Sequence, residues 1–269
     1  MMPVLANQRQ QRILDEVAVH GGARVSDLVD LLRVSDMTVR RDVETLAARG
    51  LVERVHGGVV ATSRRSTDEP GFSAKSTLQN AEKVAIAHAA AELVEPGSAV
   101  ALSAGTTTFE VARALCGVPA LTVVTNSVPV AQLLHESGGP GSTVVLTGGV
   151  RTPSDALVGP VTVAALRTLH VDWLFLGVHG VDERAGLTSP SLVEAETDRA
   201  LIASSRRVVV VADHTKWGVV GLSTIIGLDQ VEVLVTDEGL SHQPRQQLGA
   251  AVGRLVVAPM PASTHGETA

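Results

Sequence analysis

Tyrosine is absent from this sequence, cysteine occurs once, as Cys116, and the remaining aromatic residues are Phe72, Phe109, Phe175, Trp173 and Trp217. A single cysteine excludes an intrachain disulfide and a thiol cluster for zinc, and it fits a reducing cytoplasm. So few rings leave no platform on which single-stranded nucleic acid would stack. Long apolar runs are missing too. Val208–Ala212, among the longest, is far below bilayer-spanning length, and polar residues interrupt the amino terminus before any signal-like stretch forms. Nine histidines are dispersed without metal-ligand spacing. These absences predict a soluble, cytoplasmic protein with no cofactor, no metal and no membrane partner.

What is present is enough chain for more than one core: 269 residues, 45% of them apolar. The net charge of −6 is unevenly spread, with ten Lys and Arg against eight acids in residues 1–65 and twelve against twenty in the remainder. A weakly cationic amino-terminal module on an acidic body is expected. The stretch ATSRRSTDEPGFSAKS at 61–76 is polar, proline-broken and without apolar period. The predicted organisation is therefore a module over 1–60, a linker over 61–80, a second domain over 81–260 and a disordered tail over 261–269.

Three helices are predicted in the module. One runs from Gln8 to His20, with Ile13, Leu14 and Val17 on one side, and stops at Gly21-Gly22. A second runs from Ser26 to Leu32. The third starts after Ser35, a good N-cap, and ends at Gly50. At about 100° per residue, Val39, Val43 and Leu46 of the third helix fall in one arc and face the other two helices. Thr38, Arg41 and Thr45 then point outward, flanked by Arg40 and Glu44. Such a face suits a DNA major groove: an Arg fork takes guanine O6 and N7, Thr offers a methyl or hydroxyl, and the helix N-terminus favours phosphate. Arg40 projects sideways toward backbone phosphate. A hairpin turning at Gly57-Gly58 follows directly and reads as a wing carrying Arg54 and His56. The plainer alternative for Arg40-Arg41 is a solvated face with an Arg40/Glu44 ion pair.

VSDMTVRRDVETLAARGLVERVHGG, Val34 to Gly58, resembles the winged helix-turn-helix of DeoR-type bacterial transcription regulators, and the resemblance continues to about residue 258. It implies a double-stranded DNA operator as partner and a regulator of sugar metabolism, most often a repressor. Position by position, Ser35, Thr38, Arg40, Arg41 and Asp42 match the family's recognition helix, and Arg54, His56, Gly57 and Gly58 match its wing.

From residue 83 onward helices alternate with short β-branched runs at 98–103, 121–125, 143–147, 171–178, 207–213, 231–237 and 254–259, which predicts an α/β domain with a parallel sheet covered on both faces. The exits of five strands read SAGTTT, TNS, TGG, GVHGVD and ADHTK. Ligands in open α/β sheets sit beyond the carboxyl ends of the strands, so these exits are expected to meet in one crevice. Gly105, Thr106 and Thr107 lead into a helix N-terminus suited to phosphate, and Lys216 adds positive charge. Asn126, His179 and Glu194 are candidates for sugar hydroxyls, with Ser103, Thr125, Gly148, Gly149, Gly180 and Asp213 completing the candidate set. Each has an ordinary alternative: a lone GTT is a common cap, Gly148-Gly149 a tight turn, and His179 a satisfied loop histidine. AGTTT, VVTNS, LTGG, GVHGVD, EAETDRALI and ADHTKWG also resemble the DeoR-type effector domain, whose fold is similar to ribose-5-phosphate isomerase and the CoA transferases. Two positions depart from that pattern: Ser103 stands where an Asp is common, and Asp198 where a Lys is common.

The leading expectation is a homodimeric or tetrameric DNA-binding regulator answering to a phosphorylated sugar or similar small molecule. An enzyme, a sugar-phosphate isomerase or acyl transferase using Glu194, Asp213 and Lys216 for proton transfer, is the alternative. A module that docks proteins through its wing is a third reading.

Overall fold

The computed structural model describes residues 6–20, 22–49, 51–55, 57–61, 71–76 and 78–260. The chain divides into two compact units, residues 1–65 and 66–269.

In the first unit α1 (Ala6–His20), α2 (Val25–Leu32) and α3 (Asp36–Ala48) enclose a core of Ile13, Val17, Leu28, Leu32, Val39, Val43 and Leu46. Ser35 caps α3 by accepting the Thr38 N–H, and Arg33, with φ at 53°, makes the left-handed bend between α2 and α3. At the other end Leu51 N–H reaches back to Leu46 O; Gly21 and Gly50, expected to stop helices, lie outside the described residues.

Three strands form the wing: β1 (Gly22–Arg24), β2 (Val52–Val55) and β3 (Gly58–Ala61), in the order β1-β3-β2 and all antiparallel. Val55 pairs with Gly58, so Gly58, expected in the turn, belongs to the strand instead. Gly57 supplies the positive φ, 78°, that a tight hairpin requires. Gly58 is needed for another reason: a Cβ there would meet Ala23 O of β1 at 2.7 Å. Three residues without alternation give no strand signal, which is why β1 escapes a periodicity reading.

The second unit opens with α4 (Phe72–Ser76) and α5 (Asn80–Ala91), continues through β4 (Ala99–Leu102), α6 (Thr106–Leu115), β5 (Thr122–Thr125), α7 (Val128–Ser137) and β6 (Thr143–Leu146), then β7 (Val150–Arg151), β8 (Leu157–Val158) and α8 (Pro160–Leu166). It finishes with β9 (Val171–Gly177), β10 (Gly180–Asp182), β11 (Gly186–Ser189), α9 (Leu192–Ala203), β12 (Ser205–Val211), β13 (Ser223–Ile226), β14 (Val233–Asp237), α10 (His242–Ala251) and β15 (Arg254–Ala258). Seven strands make one parallel sheet in the order β15-β14-β12-β9-β4-β5-β6, the seven runs expected from the sequence, with ends shifted by at most two residues. Alternate residues face opposite layers: Leu174 and Leu176 pack with Leu201 of α9, whereas Phe175 packs with Ile86 of α5 and Val111 of α6. Burial on both faces explains why the strands read as continuous valine runs.

Strand order reverses at one place. From β4 the chain proceeds outward through β5 to β6, then returns to lay β9 on the other side of β4. The carboxyl ends of β4 and β9 therefore flank the switch point of the sheet, where an open α/β fold offers a crevice. The excursions β7-β8 and β10-β11-β13 are antiparallel additions whose short strands carried no period to read. No helix among the described residues is long and apolar enough to cross a membrane.

Candidate DNA interface and effector cleft

On α3 the outward face consists of Met37, Arg41, Glu44 and Thr45, all exposed, with Thr38 at its edge. Among the described residues the Arg41 side chain forms no hydrogen bond or ion pair, so its fork is available to a groove. Thr38 Oγ1 shares a hydrogen bond with Ser35 Oγ at 2.8 Å, and Thr45 Oγ1 donates to Arg41 O at 2.9 Å, so both hydroxyls are already engaged. Met37, 77% exposed and one turn before Arg41, was not expected from the sequence. Its signal was the i, i+4 spacing to Arg41, masked by the habit of reading methionine as core.

Arg40 forks Asp36 through Nε and Nη2 rather than pairing with Glu44, and that carboxylate pushes the guanidinium pKa further up. Glu44 instead accepts from Arg54 Nη1 at 2.9 Å, which fastens strand β2 of the wing to α3. Gly57 stands exposed at the hairpin turn, and Gly58 sits inside β3. His56 lies outside the described residues.

Asp42 requires correction. Though it matches the recognition-helix motif, it is 5% exposed and turned inward, accepting Arg9 Nε at 2.7 Å, Arg9 Nη2 at 3.3 Å and Gln10 Nε2 at 3.2 Å. It ties α1 to α3 and does not face a groove. Asp42→Ala is expected to lower unfolding stability by about 1–3 kcal/mol, because it removes the charge-assisted bonds from Arg9 and the bond from Gln10 that tie α1 to α3. A denaturant titration followed by circular dichroism checks this.

In the second unit a cleft opens at the β4/β9 switch point, lined in part by Gly105, Thr106, Thr107, Asn126, His179, Glu194 and Lys216. Four of the five strand exits meet there. The fifth, after edge strand β6, does not: Gly148 O accepts Thr162 Oγ1 of α8 at 2.7 Å, and a Cβ at Gly149 would meet the same hydroxyl, so Gly148 and Gly149 serve α8 packing. Gly180 is likewise structural, since a Cβ would collide with Val219 O. Thr125 is fully buried, donating to Leu102 O at 2.7 Å and accepting Ser127 N–H. Ser103, 1% exposed, accepts the Gly177 N–H at 3.0 Å and so joins the ends of β4 and β9 beneath the cleft.

The first-turn N–H groups of α6 have no intrahelical acceptor and point, with the positive end of the helix dipole, into this cleft. Asn126 shapes the floor: its Oδ1 accepts Ala104 N–H at 3.0 Å, and its Nδ2 donates to Leu157 O at 3.1 Å. Ser154 was missed by sequence reasoning. Its Oγ is the one buried side-chain polar atom without a partner among the described residues, and it lines the same cleft. An orphaned hydroxyl at 7% exposure fits a ligand that completes it. Lys75, on α4, and Asp198, one turn from Glu194 on α9, also line the cleft.

Asp213 belongs to the turn that presents Lys216. Almost fully buried, it caps residues 214–216 by accepting the Thr215 N–H at 3.0 Å and the Thr215 hydroxyl. Behind it, Asp237 accepts His214 N–H at 2.8 Å and pairs with the ring Nδ1 at 2.7 Å. That bond to Asp237 raises the His214 pKa against burial. Burial works against the Asp237 carboxylate, but His214 and the Gly239 N–H outweigh it and hold its pKa down. A raised histidine contributes stability that is complete below its unfolded pKa, about 6.5, and is lost as pH rises through the folded value. A lowered aspartate contributes stability that is complete above about 3.9 and lost as pH falls. His214→Ala is therefore expected to lower the melting temperature more at about pH 5.5 than at about pH 8.5, as thermal denaturation at the two values would show.

Family comparison fits both halves. A model described as the DeoR-like helix-turn-helix domain matches residues 9–65, and one described as the DeoR C terminal sensor domain matches residues 78–238. The chain belongs to the DeoR family. Its curated relatives include the uncharacterized HTH-type transcriptional regulator YgbI of Escherichia coli (strain K12), 36% identical over 249 residues, covering 92% of this chain and 95% of the relative. HTH-type transcriptional regulator GlpR of Haloferax volcanii is 36% identical over 250 residues, covering 92% and 96%. The putative aga operon transcriptional repressor of Escherichia coli O157:H7 is 34% identical, covering 87% of each chain. Among solved structures, ribose 5 phosphate isomerase A from Neisseria gonorrhoeae is 18% identical with a TM-score of 0.38, covering 52% of this chain and 54% of that one.

As a DeoR-family member the chain is a DNA-binding transcriptional regulator with a small-molecule sensor domain, and the enzyme reading is set aside. Geometry agrees, because Asp213, one of the three proton-transfer candidates, is committed to capping a turn. The two positions that depart from the family pattern differ in kind: Ser103 is buried against the sheet, whereas Asp198 places a carboxylate on the cleft wall of this DeoR-family sensor.

Proposed function

We propose that this DeoR-family regulator is a cytoplasmic repressor of sugar-metabolism genes, which reads duplex DNA through Arg41 and releases it when a phosphorylated sugar enters the switch-point cleft. The observation that carries the effector half is the meeting of α6 amides, Thr106, Thr107 and Lys216 in one cleft with an unsatisfied Ser154 hydroxyl. Amides and lysine favour the phosphate, while Asn126, His179 and Glu194 supply polar contacts suited to sugar hydroxyls. Repressor is the word used in the name of the aga operon relative, and it supports the sign of regulation chosen here. Two copies of the chain would present two winged helices to two half-sites, as two-fold regulators do.

A thermal-shift series decides between phosphorylated and plain sugars. Sugar phosphates are expected to raise the melting temperature in proportion to RT ln(1 + [L]/Kd), and the matching unphosphorylated sugars to leave it unchanged. Equal shifts for both sets would remove the anion from the reading.

A further inference from the structure

Residues 62–70 connect β3, the last strand of the winged helix, to α4, the first element of the sensor unit. Short as it is, α4 is fastened on three sides. Phe72 packs edge to face on Phe109 of α6, with ring centroids 5.7 Å apart. Its N–H approaches Pro153 O at 3.5 Å, in the loop that carries Ser154. The carboxyl end is held by Lys83 of α5, whose Nζ donates to Lys75 O and Leu78 O, each at 2.6 Å. Lys83 is 4% exposed, and burial lowers its pKa to about 8 against the opposing pull of Asp213. A buried ammonium spent on two backbone carbonyls marks a segment whose position is held at a cost.

These fastenings put Lys75 on the wall of the cleft that also holds Ser154, Thr106 and Lys216. We propose that Lys75 and Ser154 are effector-contacting residues and that α4 transmits occupancy of the cleft to the connector leading to the winged helix. The inference rests on the cleft being the effector site. A ligand anion drawn to Lys75 and a ligand acceptor or donor completing Ser154 Oγ engage both sides of the Phe72–Pro153 contact. Occupied and empty clefts then hold α4 differently, and a ligand shifts DNA affinity only through such a difference between states. Lys75 is read here as a ligand contact and Phe72 as a positioning residue that acts through α4.

The full chain tests this with a labelled duplex from its own upstream promoter, followed by fluorescence anisotropy with and without ribose 5-phosphate. Phe72→Ala, which removes the ring contact of α4 with Phe109 of α6, is expected to change ligand-free duplex affinity at least about threefold. Phe72→Leu, a milder change that keeps the apolar contact, is expected to fall between wild type and Phe72→Ala. Lys75→Gln and Ser154→Ala are expected to weaken ribose 5-phosphate binding by about tenfold and about fivefold in calorimetry. If both Phe72 variants fold and bind duplex as wild type does, α4 is not the transmitter. Should Lys75→Gln and Ser154→Ala take up the sugar phosphate normally, neither contacts the effector. A wild-type chain that ignores ribose 5-phosphate overturns the two ligand contacts together with the choice of effector, and the Phe72 comparison still decides the coupling.

Discussion

Arg41→Ala is expected to cost about 1–3 kcal/mol of affinity for the operator duplex and to flatten the difference between matched and mismatched sites. The reason is its position on a helix fixed by three independent devices. Ser35 caps the amino end, Val39, Val43 and Leu46 bury the opposite face, and Asp42 anchors the helix to Arg9 and Gln10 of α1. So constrained a helix brings the guanidinium to a base with its backbone already ordered, and the planar fork loses less side-chain freedom per hydrogen bond formed, which is what a bidentate contact needs. Arg40 serves as the contrast. Its guanidinium projects to the side of the outward face, toward backbone phosphate, and is shared with Asp36, so Arg40→Ala is expected to weaken all sequences alike and to reduce the salt slope by at most about one. Competition titrations with operator and scrambled duplexes at several salt concentrations separate the two behaviours.

Lys216→Ala carries the second large effect. It is expected to abolish the change in duplex affinity that a phosphorylated sugar produces, a coupling of about 1–3 kcal/mol in comparable systems. Lys216 is held on a turn set by two buried carboxylates: Asp213 caps residues 214–216, and Asp237 fixes His214. A lysine presented by so fixed a turn enters the cleft with its backbone already ordered, so its charge acts on the ligand rather than on refolding the loop. Calorimetry with ribose 5-phosphate, beside duplex binding in its absence, reads the loss of ligand separately from any loss of fold. Normal uptake by this variant would take Lys216 out of the site.

How much of this was legible in the sequence differs between the two units. Val39, Val43 and Leu46 announced the buried side of α3 because a 3.6-residue period leaves no ambiguity in a helix packed on one face. Asp42 sits in that same arc, yet residue type argued for the surface, and only the reach of Arg9 from α1 shows why a carboxylate is tolerated there. Such partners are distant in sequence and invisible to periodicity. The seven parallel strands were readable as valine-rich runs, but their order was not. Hence the exit after β6 was grouped with the others although it lies at the sheet edge, where Gly148 answers to Thr162. Ser154 and Lys75 went unseen for a related reason. They reach the cleft from a loop between two-residue strands and from a five-residue helix, elements too short to carry a pattern. Ser103 and Asp198 were recognised as departures by resemblance, yet only the fold distinguishes the one buried under the sheet from the one on the cleft wall.

Duplex binding by the wild-type chain, measured on its own promoter fragment at low ionic strength with and without a sugar phosphate that raises its melting temperature, bears on the whole reading at once. Retardation of the fragment, with affinity falling about 5- to 150-fold when the ligand is added, is the predicted result. A folded chain that leaves the fragment unretarded, or that binds it equally well with its cleft filled, would contradict it.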